Sequence, residues 1–273
     1  YTHRTSPGWD IYFVANKTDE PLQTDAVFRC DSGSPELWDP VTGEMRALPE
    51  FKQGDGQTGI PLRFAPRQSF FIVFKKDRAG TPVPGKENFP ELKNIATLNT
   101  AWTVAFDPRW GGPEKIVFDR LEDWTARPEQ GIKYYSGTAV YSQRFDLEES
   151  TGKKARMVLD LGEVKNLARV RLNGKDLGVV WAAPWQVDIT GIVKQKGNEL
   201  EIEVANLWAN RLIGDEQLPD DGIKNGQWPQ WLLQGKPRTS GRYTFTTYKH
   251  YKKDAPLLRS GLIGPVTIKR TEF

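Results

Sequence analysis

Residues 156–215 read RMVLDLGEVKNLARVRLNGKDLGVVWAAPWQVDITGIVKQKGNELEIEVANLWANRLIGD, the densest structural pattern in the chain. Apolar and polar residues alternate along 168–173 and again along 200–204, as in strands that bury one face. Between two such runs, Asn173-Gly174 suits the two positive φ angles of a type I′ hairpin. These features predict an antiparallel sheet with one face on a core and the other face in water.

Two segments of this stretch, 170–190 and 197–215, resemble the galactose-binding-like jelly roll attached to family 2-type glycoside hydrolases. The earlier run SGTAVYSQRFDL, residues 136–147, is similar to the strand that opens that module. The runs NRLIGD (210–215) and SGLIGPV (260–266) resemble the C-terminal region of glycoside hydrolase family 106, the α-L-rhamnosidases of gut Bacteroidetes. The resemblance covers nearly the whole chain. It implies an all-β fold, a small β-sandwich followed by a galactose-binding-like jelly-roll β-sandwich.

One stretch of the chain has the composition of a linker. Residues 77–95 contain three prolines, two glycines and several charges, which favour an irregular connection. The sequence therefore predicts a small β-sandwich domain at 1–76 and the jelly-roll domain at 96–273. The strands predicted for the first domain are 10–16, 26–30, 60–65 and 69–75. Those predicted for the second domain are 102–107, 115–118, 243–248 and 264–270. We expect 60–65 to pair with 69–75, and 69–75, apolar on both faces, to be a central strand.

Charge and hydropathy exclude some classes of function. The formal charge of this 273-residue chain is only +3, with acidic and basic residues interspersed, which does not suit a nucleic-acid-binding surface. No apolar run is long enough to span a membrane, and no signal peptide is present. The chain starts at Tyr1 almost directly in strand-like sequence. We therefore expect a C-terminal piece of a longer polypeptide.

Cysteine and histidine are too scarce for most metal or thiol chemistry. Cys30 is the single cysteine, and its place in a strand pattern predicts a buried structural thiol. Galactose-binding-like folds often hold calcium, so the resemblance implies that a calcium site is an option here. Asp119 and Asp123 are weak candidate ligands for it. Neither residue lies in an EF-hand pattern, so no metal and no other cofactor is predicted.

A cluster of polar and aromatic residues near position 210 is the main candidate sugar site. Sugar sites pair an aromatic platform with a few directional polar groups. Asparagine, arginine and aspartate after a strand also commonly cap loops through backbone hydrogen bonds, and we favour that interpretation. The candidate residues of this cluster are Asn206, Trp208, Asn210, Arg211 and Asp215.

Two further pairs of tryptophans are candidates for sugar contact. Trp181 and Trp185 flank the turn at Pro184, and the position of this loop in related jelly rolls favours interdomain packing over sugar contact. Trp228 and Trp231 lie in the long polar segment after Asp215. If exposed, this second pair forms a sugar platform, and if buried it holds the segment in place, so both alternatives stay open.

Glycoside hydrolysis normally requires two carboxyl groups on opposite sides of the scissile bond. The resemblance implies an inverting mechanism whose acid and base lie in an upstream (β/α) barrel. This chain has no βα repeat, so those roles transfer to none of its residues. The sequence offers three adjacent pairs, Asp215 with Glu216, Asp220 with Asp221, and Glu122 with Asp123, but sequence neighbours usually share one loop. No catalytic residue is predicted.

The resulting functional hypothesis is non-catalytic support of a secreted glycoside hydrolase similar to an α-L-rhamnosidase. The implied partners are the upstream catalytic barrel of the same polypeptide and a plant polysaccharide such as pectin, in the periplasm or outside the cell. The main alternative is an autonomous carbohydrate-binding module, which requires exposed tryptophans on a groove. A third hypothesis, a hydrolase with a loop-borne pair of carboxylates, is disfavoured because the barrel is missing.

Overall fold

A computed structural model describes residues 1–77, 80–148 and 155–271 of the chain. Its contacts divide it into a first unit built on Tyr1–Lys93 and a second built on Asn94–Trp181 and Trp185–Arg270. Strands dominate both units, and every pairing between named strands is antiparallel in the described residues, so the all-β prediction is confirmed. The predicted linker includes positions 78–79, which lie outside the described residues, and its last residues belong to a strand that begins at Leu92.

The first unit is built from two sheets. Its strands are β1 (Thr2–Ser6), β2 (Trp9–Ala15), β3 (Leu22–Phe28), β4 (Ser34–Trp38), β5 (Met45–Ala47), β6 (Lys52–Gly54), β7 (Gln57–Phe64) and β8 (Ser69–Lys75). One sheet has the order β1-β2-β8-β4-β5 and the other has the order β3-β7-β6. Aromatic and aliphatic side chains from both sheets form one core, and Cys30 is buried in it as predicted.

The strand β8 confirms one prediction and corrects another. It is central, between β2 and β4, and both of its faces are largely buried. The predicted pairing of 60–65 with 69–75 is wrong, because β7 pairs with β3 and β6 in the other sheet. Arg67 adopts a left-handed φ of 60°, and the chain there crosses from one sheet to the other instead of closing a hairpin.

The second unit contains three sheets. Its strands are β9 (Leu92–Thr97), β10 (Trp102–Ala105), β11 (Ile116–Phe118), β12 (Thr138–Phe145), β13 (Met157–Asp160), β14 (Glu163–Lys165), β15 (Leu167–Leu172), β16 (Lys175–Val180), β17 (Gln186–Asp188), β18 (Asn198–Ala205), β19 (Gly261–Gly264) and β20 (Thr267–Thr271). Its helices are α1 (Gln130–Lys133), α2 (Ala209–Asp215) and α3 (Gln230–Leu233), with 3-10 turns at Pro108–Trp110 and Trp124–Ala126. The sheet orders are β11-β10-β12-β18-β15-β16, β17-β13-β20-β9 and β14-β19.

The hairpin predicted at Asn173-Gly174 is confirmed. Both residues have positive φ, 53° and 79°, and they join β15 to β16. The Asn173 side chain stabilises the turn by donating to the Ile192 carbonyl at 2.9 Å and accepting from the Glu199 N–H at 3.0 Å. One short local signal therefore sets the β15–β16 hairpin, although the register of that pair shifts between Arg169 and Arg171.

The core of the second unit centres on buried aromatic rings. Trp124 and Tyr141 are completely buried, and the indole N–H of Trp124 donates to the Tyr141 hydroxyl at 2.5 Å. The same hydroxyl accepts the Leu262 N–H at 3.3 Å. Burial raises the pKa of Tyr141 far above its usual value, so its hydroxyl stays protonated. This fold can therefore enclose tryptophan fully, which makes its exposed tryptophans informative.

Residues 216–259 form a long excursion between α2 and β19, and we call it the 216–259 segment. The predicted strand at 243–248 is wrong, because these residues are irregular. Their N–H groups at Tyr243 and Thr244 bind a carboxylate instead of a neighbouring strand. Every residue of the segment is described, and none of them is buried, so the segment has no hydrophobic core of its own.

Candidate functional site

Helix α2 and the residues just before it contain the predicted polar cluster. The Asn206 amide donates to the Tyr135 carbonyl at 2.8 Å, so it holds a distant loop. Asn210 is buried and binds Leu258 from both sides, donating to its carbonyl at 2.6 Å and accepting from its N–H at 2.8 Å. Both amides are therefore engaged with backbone groups, as expected for loop-capping residues.

Asp215, at the end of α2, anchors the 216–259 segment. Its side chain is only 2% exposed. The carboxylate accepts hydrogen bonds from the N–H of Thr244 at 2.7 Å, the Thr244 hydroxyl at 2.6 Å and the N–H of Tyr243 at 3.1 Å. A buried carboxylate with this many donors is a structural clamp, and its oxygens are not free to bind a sugar.

Arg211 is a buried cation with an incomplete set of partners. Its Nη1 lies 3.8 Å from Asp215, and its guanidinium covers the Tyr243 ring at 4.6 Å. Nε and Nη2 have no hydrogen-bond partner among the described residues. In Arg238, by contrast, the corresponding Nε and Nη2 groups both donate to the Asp221 carboxylate, at 2.6 and 2.7 Å. Burial lowers the pKa of Arg211 from its usual value, while the Asp215 carboxylate acts in the opposite direction.

The exposed part of this region is aromatic. Trp208 is 51% exposed and meets Trp110, 36% exposed, edge to face at a centroid distance of 5.5 Å. Tyr243 lies beside them, because a Cβ on Gly111 would come within 2.4 Å of its hydroxyl. Gly111 also has a φ of 81°, so only glycine fits this position well. The sequence analysis missed Trp110, which follows a turn and shares no periodic pattern with Trp208.

The other tryptophan candidates have different environments. Trp181 is exposed, whereas Trp185 is partly buried against the core of the second unit. On the 216–259 segment, Trp228 stacks on Phe245 at 5.9 Å, and Trp231 meets the same ring edge to face at 5.8 Å. Trp228 is 46% exposed, so this pair both holds the segment together and presents one ring to solvent. Sugar contact by these residues stays a prediction.

The three carboxylate pairs are occupied by cations or backbone donors. Asp215 is clamped as described, and Glu216 accepts from Arg242 at 2.8 Å. Asp220 binds Lys249, and Glu122 binds Arg127. A general acid for glycoside hydrolysis needs a raised pKa. The hydrogen bond from Lys249 instead lowers the pKa of Asp220, the opposite of what that role requires.

The Asp221 ion pair gives a prediction for pH dependence. The hydrogen bonds from Arg238 are the main reason why the pKa of Asp221 falls from 3.8 to about 2. The pKa of Asp221 is lower in the folded chain than in the unfolded chain. The ion pair therefore contributes its full stabilisation at pH values above the unfolded-state pKa, and this stabilisation is lost as the pH falls through the folded-state pKa. We expect Trp231, whose indole N–H binds the Asp221 carbonyl, to report loosening of the segment between about pH 4 and pH 2.

The matched variant for this titration is Asp221→Asn. It should already be destabilised at pH 5, by about 1–2 kcal/mol after allowance for solvent screening, and should show little further change down to pH 2. Asp19→Asn is the control, because the Asp19 side chain is 81% exposed in its ion pair with Arg67. A wild-type Trp231 emission that is constant from pH 5 to pH 2 would contradict the prediction.

The weak calcium candidates do not fit a cation. Asp123 accepts the N–H groups of Thr125 and Ser260 through one oxygen, and its other oxygen faces Arg259 at 3.6 Å. Asp119 lines an open depression together with Arg120. Across residues 1–77, 80–148 and 155–271, no group of three or more His, Cys, Asp or Glu is placed to hold a metal ion. In the same residues, no helix is long and apolar enough to cross a membrane.

Comparison with known proteins gives two family matches on different parts of the chain. Residues 124–242 match the galactose-binding-like domain of glycosyl hydrolase 2, and residues 1–53 match the α-L-rhamnosidase family, glycoside hydrolase 106. The first match includes α2 and the candidate residues around it. The chain is thus similar to a rhamnosidase family in one segment and to a galactose-binding-like domain in another, in agreement with the resemblance found in the sequence.

Two long relatives match most of the chain. A solved structure, the rhamnosidase from Novosphingobium sp. PP1Y, is 35% identical with a TM-score of 0.80 over 98% of this chain and 23% of its own. A Formosa agariphila protein named "Putative beta-glucuronidase" is 43% identical over 205 residues, 69% of this chain and 18% of its own length. The chain therefore spans about a fifth of the length of either relative.

Proposed function

We propose that this chain, which joins an α-L-rhamnosidase family segment to a galactose-binding-like domain, is the non-catalytic β-region of a larger rhamnosidase-like glycoside hydrolase. The observation that carries the proposal is the match of 98% of the chain to 23% of a rhamnosidase at a TM-score of 0.80. The described carboxylates support a non-catalytic role, because each of the three candidate pairs is engaged by cations or backbone donors.

The 216–259 segment supports a bracing role toward the rest of such a polypeptide. It buries none of its residues, yet it exposes large apolar side chains, among them Leu233 and Tyr248 at 63% and 70% exposure. Large apolar side chains that gather in an exposed patch usually mark a contact surface. Ion pairs such as Arg242 with Glu216 hold the segment in shape, so it can present that surface without a core. Its partner is the catalytic barrel that we place elsewhere in the longer polypeptide.

The proposed parent enzyme releases rhamnosyl residues from plant polysaccharides such as pectin. This substrate class comes from the rhamnosidase family match and from the solved rhamnosidase, not from a site in this chain. An enzyme that acts on large external polysaccharides works in the periplasm or outside the cell, and we propose that location. Bacteroidetes are the proposed source, in keeping with the Formosa agariphila relative.

The second candidate function is an autonomous carbohydrate-binding module. The specific observation that favours it is the exposed Trp110–Trp208 pair, because the same unit buries Trp102 and Trp124 completely. The two functions are compatible, since a bracing region can also contact glycan. They differ in what the isolated chain should do, because only the module binds sugar on its own.

Enzyme assays test the proposed function directly. The purified chain should not hydrolyse an aryl α-L-rhamnoside above the buffer rate, because each of its three candidate carboxylate pairs is engaged by cations or backbone donors. The longer polypeptide should hydrolyse the same substrate, and deletion of this region should lower its thermal stability or its yield of folded protein. Turnover by the purified chain, or unchanged stability and activity after the deletion, would falsify the proposal.

A further inference from the structure

The surface formed by Trp110, Trp208 and Tyr243 is a site that the family matches do not assign. The three rings come from a 3-10 turn, from the residue that precedes α2 and from the 216–259 segment. Trp110 and Trp208 pack edge to face, and Tyr243 is 39% exposed beside them. An edge-to-face pair covers at most one face of one ring, so aromatic surface stays open to solvent.

The fold holds two of the three rings, Trp110 and Tyr243, in place. The Asp107 carboxylate caps the Pro108–Trp110 turn by accepting the Arg109 N–H at 2.9 Å. The backbone of Tyr243 is clamped by Asp215, and one face of its ring is covered by the Arg211 guanidinium. Arg211 and Asp215 thus act as positioning residues. Because the platform is already ordered, a ligand that stacks on it loses little affinity to rearrangement.

The chemistry of the surface suits a sugar ring with one apolar face. Rigid aromatic faces bind the C–H groups of such a ring, and a few nearby donors fix its orientation. The buried Arg211 guanidinium lies over one face of the Tyr243 ring, 4.6 Å from its centroid, and supports that ring from inside the protein. A 6-deoxyhexose has a methyl group in place of a hydroxymethyl group, which enlarges its apolar face. No charged ligand is required.

We propose that Trp110, Trp208 and Tyr243 form a carbohydrate-binding subsite for a neutral 6-deoxyhexose, with α-L-rhamnosyl units as its class of ligand. The choice of rhamnosyl units rests on the proposed function, whereas the platform itself rests on the geometry of the rings. The subsite holds a glycan that the parent enzyme degrades.

The test is an NMR titration of the purified chain with methyl α-L-rhamnopyranoside and with a rhamnose-containing pectin oligosaccharide. We expect saturable binding, with a dissociation constant of roughly 1–10 mM for the single sugar. Trp110→Ala and Trp208→Ala should each weaken it about tenfold or more. Trp9→Ala is the matched control, a tryptophan of similar exposure in the first unit that belongs to none of the candidate sugar sites, and it should leave binding within about twofold.

Several results overturn the proposal. They are lack of saturable binding by the wild-type chain at about 50 mM sugar, unchanged binding in both pair variants, and loss of binding in Trp9→Ala alone. If the pair variants instead weaken association with the remainder of the polypeptide while the wild-type chain binds no sugar, the rings form a protein contact. Should either alanine variant misfold, Trp110→Gln and Trp208→Tyr replace them, and the glutamine variant should lose more binding than the tyrosine variant.

Failure of this proposal is distinguishable from failure of the proposed function. Absence of sugar binding leaves the aryl rhamnoside assays and the deletion result unaffected. Turnover by the purified chain would overturn the non-catalytic role without changing the comparison between the three tryptophan variants.

Discussion

Asp215→Ala will lower the free energy of unfolding of the chain by about 3–5 kcal/mol. The mutation removes the acceptor for the Tyr243 and Thr244 N–H groups and for the Thr244 hydroxyl. It also leaves Arg211, whose side chain is 6% exposed, without the one carboxylate that faces it. Removing one partner of a buried ion pair costs more than the pair itself contributes, because the remaining charge stays desolvated.

The effect should appear first in the 216–259 segment. Urea unfolding followed by circular dichroism gives the change in stability, and limited proteolysis reports whether residues 243–244 detach from α2. Asp220→Ala is the control, because the Asp220–Lys249 pair is largely solvent-exposed and should change stability by no more than about 1 kcal/mol. A loss below about 1 kcal/mol for Asp215→Ala, with proteolysis unchanged, would show that Asp215 does not clamp the segment.

The second large effect is expected for Trp124→Ala, at about 3–5 kcal/mol. Trp124 is completely buried and packs edge to face against Phe106 and Tyr135, with centroid distances of 5.3 and 5.7 Å. Its indole nitrogen donates to Tyr141, so the mutation also removes one donor to that buried hydroxyl and leaves it with the Leu262 N–H at 3.3 Å. A virtual Cβ on Gly261 would lie 2.4 Å from the same nitrogen, so the wall around the ring is tight and the cavity collapses poorly.

Denaturant titration monitored by near-ultraviolet circular dichroism measures this effect. Trp124→Phe should recover part of the stability because it keeps an aromatic ring in the cavity, although it loses the N–H group. Trp228→Ala serves as the stability control, since that ring is nearly half exposed and its loss should cost no more than about 1 kcal/mol. Equal losses for Trp124→Ala and Trp228→Ala would contradict the assignment of Trp124 to the core.

The sequence predicted those parts of the fold that depend on neighbouring residues. Alternation along 168–173 and 200–204 gave β15 and β18, and Asn173-Gly174 gave the hairpin between β15 and β16. The apolar run at 69–75 gave a central strand. Side-chain period and positive φ are set by a few consecutive residues, so local patterns report them reliably.

Strand pairing was less predictable. The short connection between 60–65 and 69–75 suggested a hairpin, but each strand pairs within a different sheet. The run 243–248 has strand-like composition, yet its N–H groups bind Asp215. In both regions the backbone N–H and C=O groups bond to groups that are distant in the sequence, and composition alone does not identify those partners.

The amino-acid sequence alone determined that this chain is all-β, where its main hairpin and several of its strands lie, and which family it resembles. The tertiary structure decided which groups the side chains on and near α2 contact. It turns the amides of Asn206 and Asn210 and the Asp215 carboxylate onto backbone groups, and it brings Trp110 to Trp208 at the surface. The physical reason is separation along the chain, because these contacts join residues tens of positions apart and no local pattern records them.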